Sequence, residues 1–330
     1  MPFGSVDVNS VFNIKSNADF EKVALDVFKF QFQNNRVYRS FCDLINKHPS
    51  DVKNYCDIPF LPIQFFKSHE VLSSNKPIEQ TFASSGTTGN NTSKHFVTDL
   101  SIYEKSFTKA FENFYGNITD CVILALLPSY LEREDSSLIY MVSHLIEQSN
   151  HSCSGFYLNN LSELKDTLIA LNESNTNVLL IGVSFALLDL VELYQFKLKN
   201  TIVMETGGMK GRRKELIRTE LHKILKNGFG VDTIHSEYGM TELLSQAYSK
   251  GDGVFKCPAW MKVLIRDTED ALSIVPPEKT GGINIIDLAN INSCAFIATQ
   301  DLGKLHDHNT FEVIGRFDHS DIRGCNLMVL

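Results

Sequence analysis

The sequence lacks the cysteine and histidine spacings that are typical of metal and redox sites. Its seven cysteines are an odd number, and no two of them form a C-x-x-C pair. Its ten histidines show neither an H-x-x-x-H nor an H-E-x-x-H spacing. A zinc knuckle, a dithiol redox site and a zinc hydrolase are therefore unsupported. We expect reduced thiols and a cytoplasmic location.

Long apolar runs and an excess of positive charge are also missing. No apolar run reaches the ~18–20 residues that span a bilayer. No basic stretch followed by an apolar run opens the sequence, so we expect neither a membrane span nor a signal peptide. The formal net charge of -8 argues against nucleic acid as the main partner. An acidic protein can still bind a nucleotide, because backbone amides and a metal ion attract phosphate.

Short apolar strands alternate with amphipathic helices through the first 250 residues. The predicted helices cover residues 17–30, with Asn17 or Asp19 as the cap, then 37–47, 101–115, 138–148, 161–172, 182–194 and 211–227. The predicted strands cover residues 80–83, 121–127, 178–181 and 201–204. This order indicates an α/β fold with a large, mainly parallel sheet.

The last third of the sequence has a different pattern. Four short strands at 262–265, 282–286, 295–298 and 311–314 follow one another without helices, after a Gly251-Asp252-Gly253 turn signal. We therefore expect two domains, an α/β core over residues 1–250 and a smaller, mostly antiparallel β-rich subdomain over residues 251–330.

A glycine- and hydroxyl-rich loop, Ala83-Ser84-Ser85-Gly86-Thr87-Thr88-Gly89, follows the first predicted strand. Its glycines allow backbone N–H groups to turn toward an anion, and its hydroxyls add donors for phosphate oxygens. It does not match the G-x-x-x-x-G-K-[ST] loop of P-loop NTPases. The alternative interpretation is a flexible surface loop rich in turn formers.

Two further segments are candidates for ligand binding, and the first of them follows the predicted strand 201–204 of the parallel sheet, where ligands gather at the carboxyl ends. In Glu205-Thr206-Gly207-Gly208 the glycines allow a flat ligand to approach the backbone, unless the segment is a plain turn. In Glu237-Tyr238-Gly239-Met240-Thr241-Glu242 an aromatic face, a hydroxyl and a carboxylate suit a purine, a phosphate and Mg²⁺. The alternative there is a helix start with Thr241 and Glu242 solvated.

A fourth signal lies in the β-rich part. Asp301, in Thr299-Gln300-Asp301, can accept hydrogen bonds from ribose hydroxyls, and Arg316, in Gly315-Arg316-Phe317-Asp318, can bridge ribose and phosphate. The alternative is an exposed ion pair between β-turns.

These four signals, in this order, resemble the acyl- and aryl-activating adenylate-forming superfamily, whose members carry a Ser/Thr/Gly phosphate loop, a YGxTE motif, a TGD-like Asp and a GRxD hinge. The arm IPFLPIQFFK at 58–67 and the segment SDIRGC at 320–325 are similar to the acyl-protein synthetase family. That family includes the ligase component of the fatty-acid reductase of bacterial luminescence.

The resemblance implies two half-reactions, in which a carboxylic acid and ATP give acyl-AMP and pyrophosphate, and the acyl group then moves to a cysteine thiol. It implies ATP and Mg²⁺ as cofactors, a fatty acid as the small-molecule substrate, and an acyl-CoA reductase or an acyl carrier protein as partner. The implied phosphate cradle is Ser84, Ser85, Gly86, Thr87, Thr88 and Gly89. Adenine would be framed by Gly207, Gly208, Tyr238 and Gly239. The remaining implied roles are Thr241 at the α-phosphate, Glu242 on Mg²⁺, Asp301 and Arg316 at the ribose, and Cys325 as acyl acceptor.

The sequence departs from the superfamily in two respects. Asn90 to Ser93 separate the phosphate loop from Lys94, so Lys94 is a poor match for the usual lysine, and the mobile C-terminal lid domain with its catalytic lysine is expected to be absent. Candidate replacements for that cation are Lys94, Lys210, Arg212 and Arg323.

Three hypotheses therefore remain: an acyl-protein synthetase, a lid-less acyl-CoA or aryl-CoA ligase, and a non-catalytic nucleotide-binding partner of an acyl-CoA reductase. For Cys325 the alternative is a small buried apolar side chain. Ser184, in a G-x-S-x-A segment, is interpreted as part of a strand-to-helix turn and not as a hydrolase nucleophile.

Overall fold

The computed structural model describes residues 6–84, 92–128, 135–157, 160–207, 216–306 and 310–317. Within these ranges, no helix is long and apolar enough to cross a membrane. No disulfide joins the cysteines of this part of the chain: Cys42, Cys56, Cys121, Cys153, Cys257 and Cys294.

The described elements follow the alternation expected for an α/β protein. The helices are α1 (Val8–Phe12), α2 (Asn17–Asn34), α3 (Arg36–Leu44), α4 (Phe65–Ser68), α5 (Leu100–Tyr115), α6 (Ser137–Ser149), α7 (Leu161–Glu173), α8 (Ser184–Leu193) and α9 (Arg218–Phe229). The strands are β1 (Leu61–Pro62), β2 (Gln80–Ala83), β3 (Lys94–Val97), β4 (Val122–Leu126), β5 (Gly155–Phe156), β6 (Val178–Val183), β7 (Thr201–Thr206), β8 (His235–Tyr238), β9 (Ala247–Ser249), β10 (Val254–Lys256), β11 (Met261–Arg266), β12 (Thr280–Asp287), β13 (Phe296–Leu305) and β14 (Thr310–Arg316).

The chain divides into two compact units. The α/β unit consists of Gln80–Ser85 and Leu100–Pro258. Its strands lie in the order β10-β9-β8-β7-β6-β4-β5. Strands β5, β4, β6, β7 and β8 are parallel neighbours, and β9 and β10 continue antiparallel. Every residue of β4 and β6 is buried, as in a sheet that helices cover on both faces. The predicted mainly parallel sheet is confirmed.

The β-rich unit consists of Met1–Glu79, Gly86–Asp99 and Ala259–Leu330. Strands β11, β12, β13 and β14 form an antiparallel meander, and β1 pairs in parallel with β13. The antiparallel strands expected in the last third of the sequence are therefore present. This division differs from the expected one at residue 250, because the N-terminal helices belong to the same unit as the C-terminal strands.

Contacts between residues far apart in the sequence explain that difference. Buried Gln31 on α2 donates from Nε2 to the carbonyls of Asn290 and Ile291, both at 2.9 Å, and accepts from the Ala295 amide at 2.9 Å. On the same helix face, Phe28 packs edge-on against Phe296 with ring centroids 6.2 Å apart. The buried face of α2 therefore packs against residues that lie more than 250 positions later in the sequence.

The N-terminus of α2 differs by one residue from the expected cap. Ser16, and neither Asn17 nor Asp19, is the cap: its hydroxyl accepts from the Asp19 amide, and the Asp19 carboxylate accepts from the Ser16 amide. This reciprocal pair satisfies two amides at the start of the helix and fixes where it begins.

We predict that Gln31→Leu lowers the free energy of unfolding by about 3 kcal/mol, because three hydrogen bonds to buried backbone groups are lost. Of the three groups, the Asn290 carbonyl still accepts from the Ser293 amide at 3.3 Å. The measurement is urea unfolding followed by circular dichroism. The matched control is Gln33→Leu, the same change two residues later on the exposed side of α2, which should change stability little. Equal losses in the two variants would contradict the anchoring role of Gln31.

Candidate functional site

The carboxyl ends of three parallel strands bring two of the predicted segments to one edge of the α/β unit. In the sheet, Val183 pairs with Thr206, and Thr206 pairs with Glu237. Gly207 and Tyr238 therefore occupy the next positions at neighbouring strand ends. Such an edge is where open α/β sheets bind ligands.

The turn after β7 is held in place by Ser184, the first residue of α8. Its hydroxyl lies 2.8 Å from the Gly207 carbonyl and 3.2 Å from Oε2 of Glu205. Gly207 itself has φ +68, a left-handed conformation that favours glycine, and its surface is exposed. The predicted strand-to-helix turn at Ser184 is confirmed, and its hydroxyl orients the glycine turn.

Glu205 is a nearly buried carboxylate with two cationic or potentially cationic neighbours on α9. Oε1 of Glu205 lies 3.6 Å from Nε of Arg218 and 3.6 Å from Nε2 of His222. The Arg218 guanidinium also lies over the Phe255 ring, 5.1 Å from its centroid. This cluster, with Ser184, fixes the end of β7. Sequence reasoning missed it, because its members are far apart in the chain and share no motif.

Glu237, the residue before Tyr238, is a second buried carboxylate at this edge. Its Oε2 accepts a hydrogen bond from the Thr206 hydroxyl at 2.5 Å. Burial raises the pKa of Glu237 to about 7, the Thr206 hydrogen bond opposes this, and the charge of Glu205 adds to it. Burial also raises the pKa of Tyr103 and Tyr115, and the charge of Glu237 raises both further.

Gly239 is required by the close approach of Glu237. A Cβ atom at position 239 would lie 2.5 Å from Oε1 of Glu237. The glycine of the predicted motif therefore makes room for the carboxylate that precedes the tyrosine.

The rest of the motif forms a turn between β8 and β9. Tyr238 is 9% exposed, and its ring lies 5.8 Å from that of Phe255. The Leu243 amide donates to the Met240 carbonyl, Thr241 is half-buried and Glu242 is 5% exposed. The alternative of a helix start with a solvated Glu242 is wrong, because the segment forms no helix and this carboxylate is buried.

The β-rich unit carries the other pair of predicted residues. Asp301 on β13 and Arg316 on β14 are register partners, and Nε of Arg316 donates to Oδ1 of Asp301 at 2.9 Å. The Asp301 side chain is 8% exposed and that of Arg316 is 75% exposed. The alternative of an exposed pair between turns is wrong for Asp301, which is buried within a strand.

The remaining candidates are placed as follows. Ser84 is half-buried directly after β2, and Lys94 on β3 is exposed and lines a cavity of about 430 Å³ with Phe66 and Phe96. The candidates that lie outside the described residues are Ser85, Gly86, Thr87, Thr88, Gly89, Gly208, Lys210, Arg212, Asp318, Arg323 and Cys325.

Comparison with known proteins gives one family. The family model described as acyl-protein synthetase, LuxE, matches residues 11–114 and 135–330. A protein of Photorhabdus luminescens named long-chain-fatty-acid–luciferin-component ligase is 36% identical over 70 residues. That alignment covers 21% of this chain and 60% of the relative, less than two thirds of its length.

Solved structures with the same fold include a CoA ligase and the protein MatB. One is an open conformation of 2-hydroxyisobutyryl-CoA ligase in complex with 2-HIB-AMP and CoA, with a TM-score of 0.69 at 12% identity. The match covers 92% of this chain and 70% of the ligase chain. ATP-bound MatB from Rhodopseudomonas palustris has a TM-score of 0.52 at 16% identity, and the match covers 72% of this chain and 48% of the MatB chain. At these identities the likeness is one of fold, and it confirms the predicted fold class.

Glu237 should make stability pH-dependent. Burial raises the pKa of Glu237 from 4.5 to about 7. Between these two pH values, the folded protein therefore holds a proton that the unfolded chain releases. The protonated Glu237 carboxyl therefore makes its full contribution to the free energy of unfolding below pH 4.5, and this contribution is lost as the pH rises through about 7. The free energy of unfolding of the wild-type protein should therefore fall by about 3 kcal/mol between about pH 5 and about pH 8. We predict that this fall is absent in Glu237→Gln, which keeps an acceptor for Thr206.

The measurement is urea unfolding of wild type and variant at stepped pH. Glu220→Gln, on the exposed surface of α9, is the matched control and should retain the wild-type profile. A Glu237→Gln profile parallel to that of the wild type would show that this carboxyl does not titrate in the window.

Proposed function

The chain belongs to the acyl-protein synthetase family LuxE, and we propose that it uses ATP to activate a fatty acid as acyl-AMP and then transfers the acyl group to a cysteine thiol. The observation that carries the proposal is the carboxyl edge of the α/β sheet, where a left-handed glycine turn at Gly207 follows β7 and the neighbouring strand β8 ends at Tyr238, just before the turn that contains the buried Glu242. The match to a ligase named for a long-chain fatty acid supports the substrate class.

In the first half-reaction, a carboxylate oxygen of the acid attacks the α-phosphorus of ATP. A new oxygen–phosphorus bond forms, the bond from the α-phosphorus to the bridging oxygen breaks, and pyrophosphate leaves. In the proposal, hydroxyls and amides of Ser84 to Gly89 hold the phosphates, Thr241 contacts the α-phosphate, and Gly207, Gly208, Tyr238 and Gly239 frame the adenine. Asp301 holds the ribose with Arg316 beside it.

The chemistry of the donor set fits Mg²⁺. No group of three or more His, Cys, Asp or Glu able to hold a metal occurs in the described ranges. A single hard carboxylate suits Mg²⁺, which proteins bind through one or two carboxylates and the substrate phosphates. Glu242 would hold the ion, which neutralises phosphate charge when bound.

In the second half-reaction, a cysteine thiolate attacks the acyl carbon of acyl-AMP. The carbon–sulfur bond forms, the bond from the acyl carbon to the phosphate oxygen breaks, and AMP leaves with the electron pair. We propose Cys325 as this acceptor, because Arg323 lies two residues before it and a neighbouring cation favours the thiolate. An acyl-CoA reductase or an acyl carrier protein would then take up the thioester.

We predict that the protein releases pyrophosphate when it is given ATP, Mg²⁺ and a saturated fatty acid of suitable length. Glu242→Gln should slow this release by ~10²-fold, the loss typical of one preorganised electrostatic group. The matched control is Glu173→Gln, at the exposed end of α7, which should leave the rate unchanged. Absence of pyrophosphate with every acid of a graded panel would instead support a non-catalytic nucleotide-binding partner.

We predict that radiolabelled fatty acid and ATP leave a covalent, hydroxylamine-sensitive label on the wild-type protein and none on Cys325→Ala. Cys56→Ala is the matched control, since Cys56 is an exposed free thiol, and it should label normally. Label that persists in Cys325→Ala would remove Cys325 as the acceptor. Label that passes only to added CoA would support the lid-less CoA ligase.

A further inference from the structure

Arg266, the last residue of β11, is a buried cation that joins three strands of the β-rich unit. It is 8% exposed. Nη1 donates to the Ile283 carbonyl and to Oδ1 of Asn284, both at 2.8 Å, and Nη2 donates to the Thr299 carbonyl at 2.5 Å. One guanidinium therefore fixes β11, β12 and β13 relative to one another.

The neighbouring strand β12 makes room for this side chain. A Cβ atom at Gly282 would lie 2.4 Å from Cζ of Arg266. The register of β12 against β13 shifts between Gly282 and Asn284, at the point where the guanidinium lies. The strand thus has a glycine and an irregular register where Arg266 needs space.

Two routes lead from Arg266 to the candidate ribose site. In the first, the Ile283 carbonyl that accepts from Arg266 also accepts from the Thr299 hydroxyl at 2.9 Å. The same hydroxyl accepts from the Asp301 amide at 3.1 Å. Through Thr299, Arg266 therefore fixes the backbone of the residue that carries the ribose-binding carboxylate.

The second route runs through Phe317. Cζ of Arg266 lies 5.3 Å from the centroid of its ring, a cation–π distance. The Phe317 amide donates to the Gln300 carbonyl at 2.8 Å. Phe317 directly follows Arg316, and Gln300 directly precedes Asp301, so this contact fixes both members of the ion pair. Burial lowers the pKa of Arg266, and the negative charge of Asp301 opposes that shift.

We infer that Arg266 is a positioning residue for nucleotide binding, which acts through Thr299 and Phe317 to aim Asp301 and Arg316 at the ribose hydroxyls. The inference rests on the proposed function, in which Asp301 binds the ribose. A buried guanidinium with all of these partners acts only through the residues around it.

The test compares binding of ATP with binding of 2′,3′-dideoxyATP, measured by isothermal titration calorimetry without any acid. The wild-type protein should prefer ATP. In Arg266→Met and in Phe317→Leu, affinity for ATP should fall about tenfold, because hydrogen bonds to charged groups lose their alignment. Affinity for the dideoxy nucleotide should stay the same, so that the preference is lost.

Two controls separate positioning from general destabilisation. Arg39→Met is the matched control, because Cζ of Arg39 also lies 5.3 Å from the centroid of a phenylalanine ring, that of Phe32. This variant should prefer ATP as strongly as the wild-type protein does. Phe317→Leu leaves no buried group unpaired and tests the inference if Arg266→Met fails to fold. Phe317→Tyr retains the aromatic face and should retain the preference.

Two results would overturn the inference while the ribose role of Asp301 stands. One is a wild-type preference for ATP that both variants retain, and the other is an equal loss of affinity for both nucleotides, which indicates a structural role alone. A wild-type protein that binds the two nucleotides equally would instead remove the ribose role of Asp301, and the inference with it.

Discussion

Burial of charged side chains at the strand ends is the constraint on which the rest of the structure depends. A buried charge without partners costs several kcal/mol, so each must be matched by the protein. Glu205 has Ser184, Arg218 and His222 around it, and Glu237 has the Thr206 hydroxyl. These partners come from different elements, so matching the charges fixes the ends of β6, β7 and β8 and the start of α9.

The same constraint prepares the candidate site for its ligand. In the proposed function, the turn at Gly207 approaches the nucleotide, and a hydrogen bond from the Ser184 hydroxyl to the Gly207 carbonyl holds it in place. Groups that are oriented before the ligand arrives need no rearrangement when charge develops on the phosphates, which is the main source of electrostatic catalysis. If the edge binds a nucleotide as proposed, these buried side chains contribute to function without touching substrate.

The sequence was sufficient to predict local structure and the classes of turn, but not the contacts between distant residues. The strand at Gln80–Ala83 and the apolar face of α2 follow from periodicity within a few residues. The bond from Gln31 on α2 reaches Asn290 between β12 and β13, the bond from Arg266 on β11 reaches Thr299 on β13, and no local pattern marks either. Gly207 and Gly239 stand in the segments that the sequence marks as nucleotide-binding candidates, whereas Glu237, whose carboxylate explains Gly239, has a role only once its side chain is placed.

The union of N-terminal helices and C-terminal strands in one unit has a consequence for synthesis on the ribosome. At ~5–20 residues per second, about 10 to 60 s separate the emergence of α2 from that of its partner β13. During this interval Phe28, which is buried in the finished protein, lacks Phe296 on β13, the ring against which it packs. The α/β unit, whose long segment is continuous, can fold before β13 has been synthesised, and the apolar face of α2 is exposed until then.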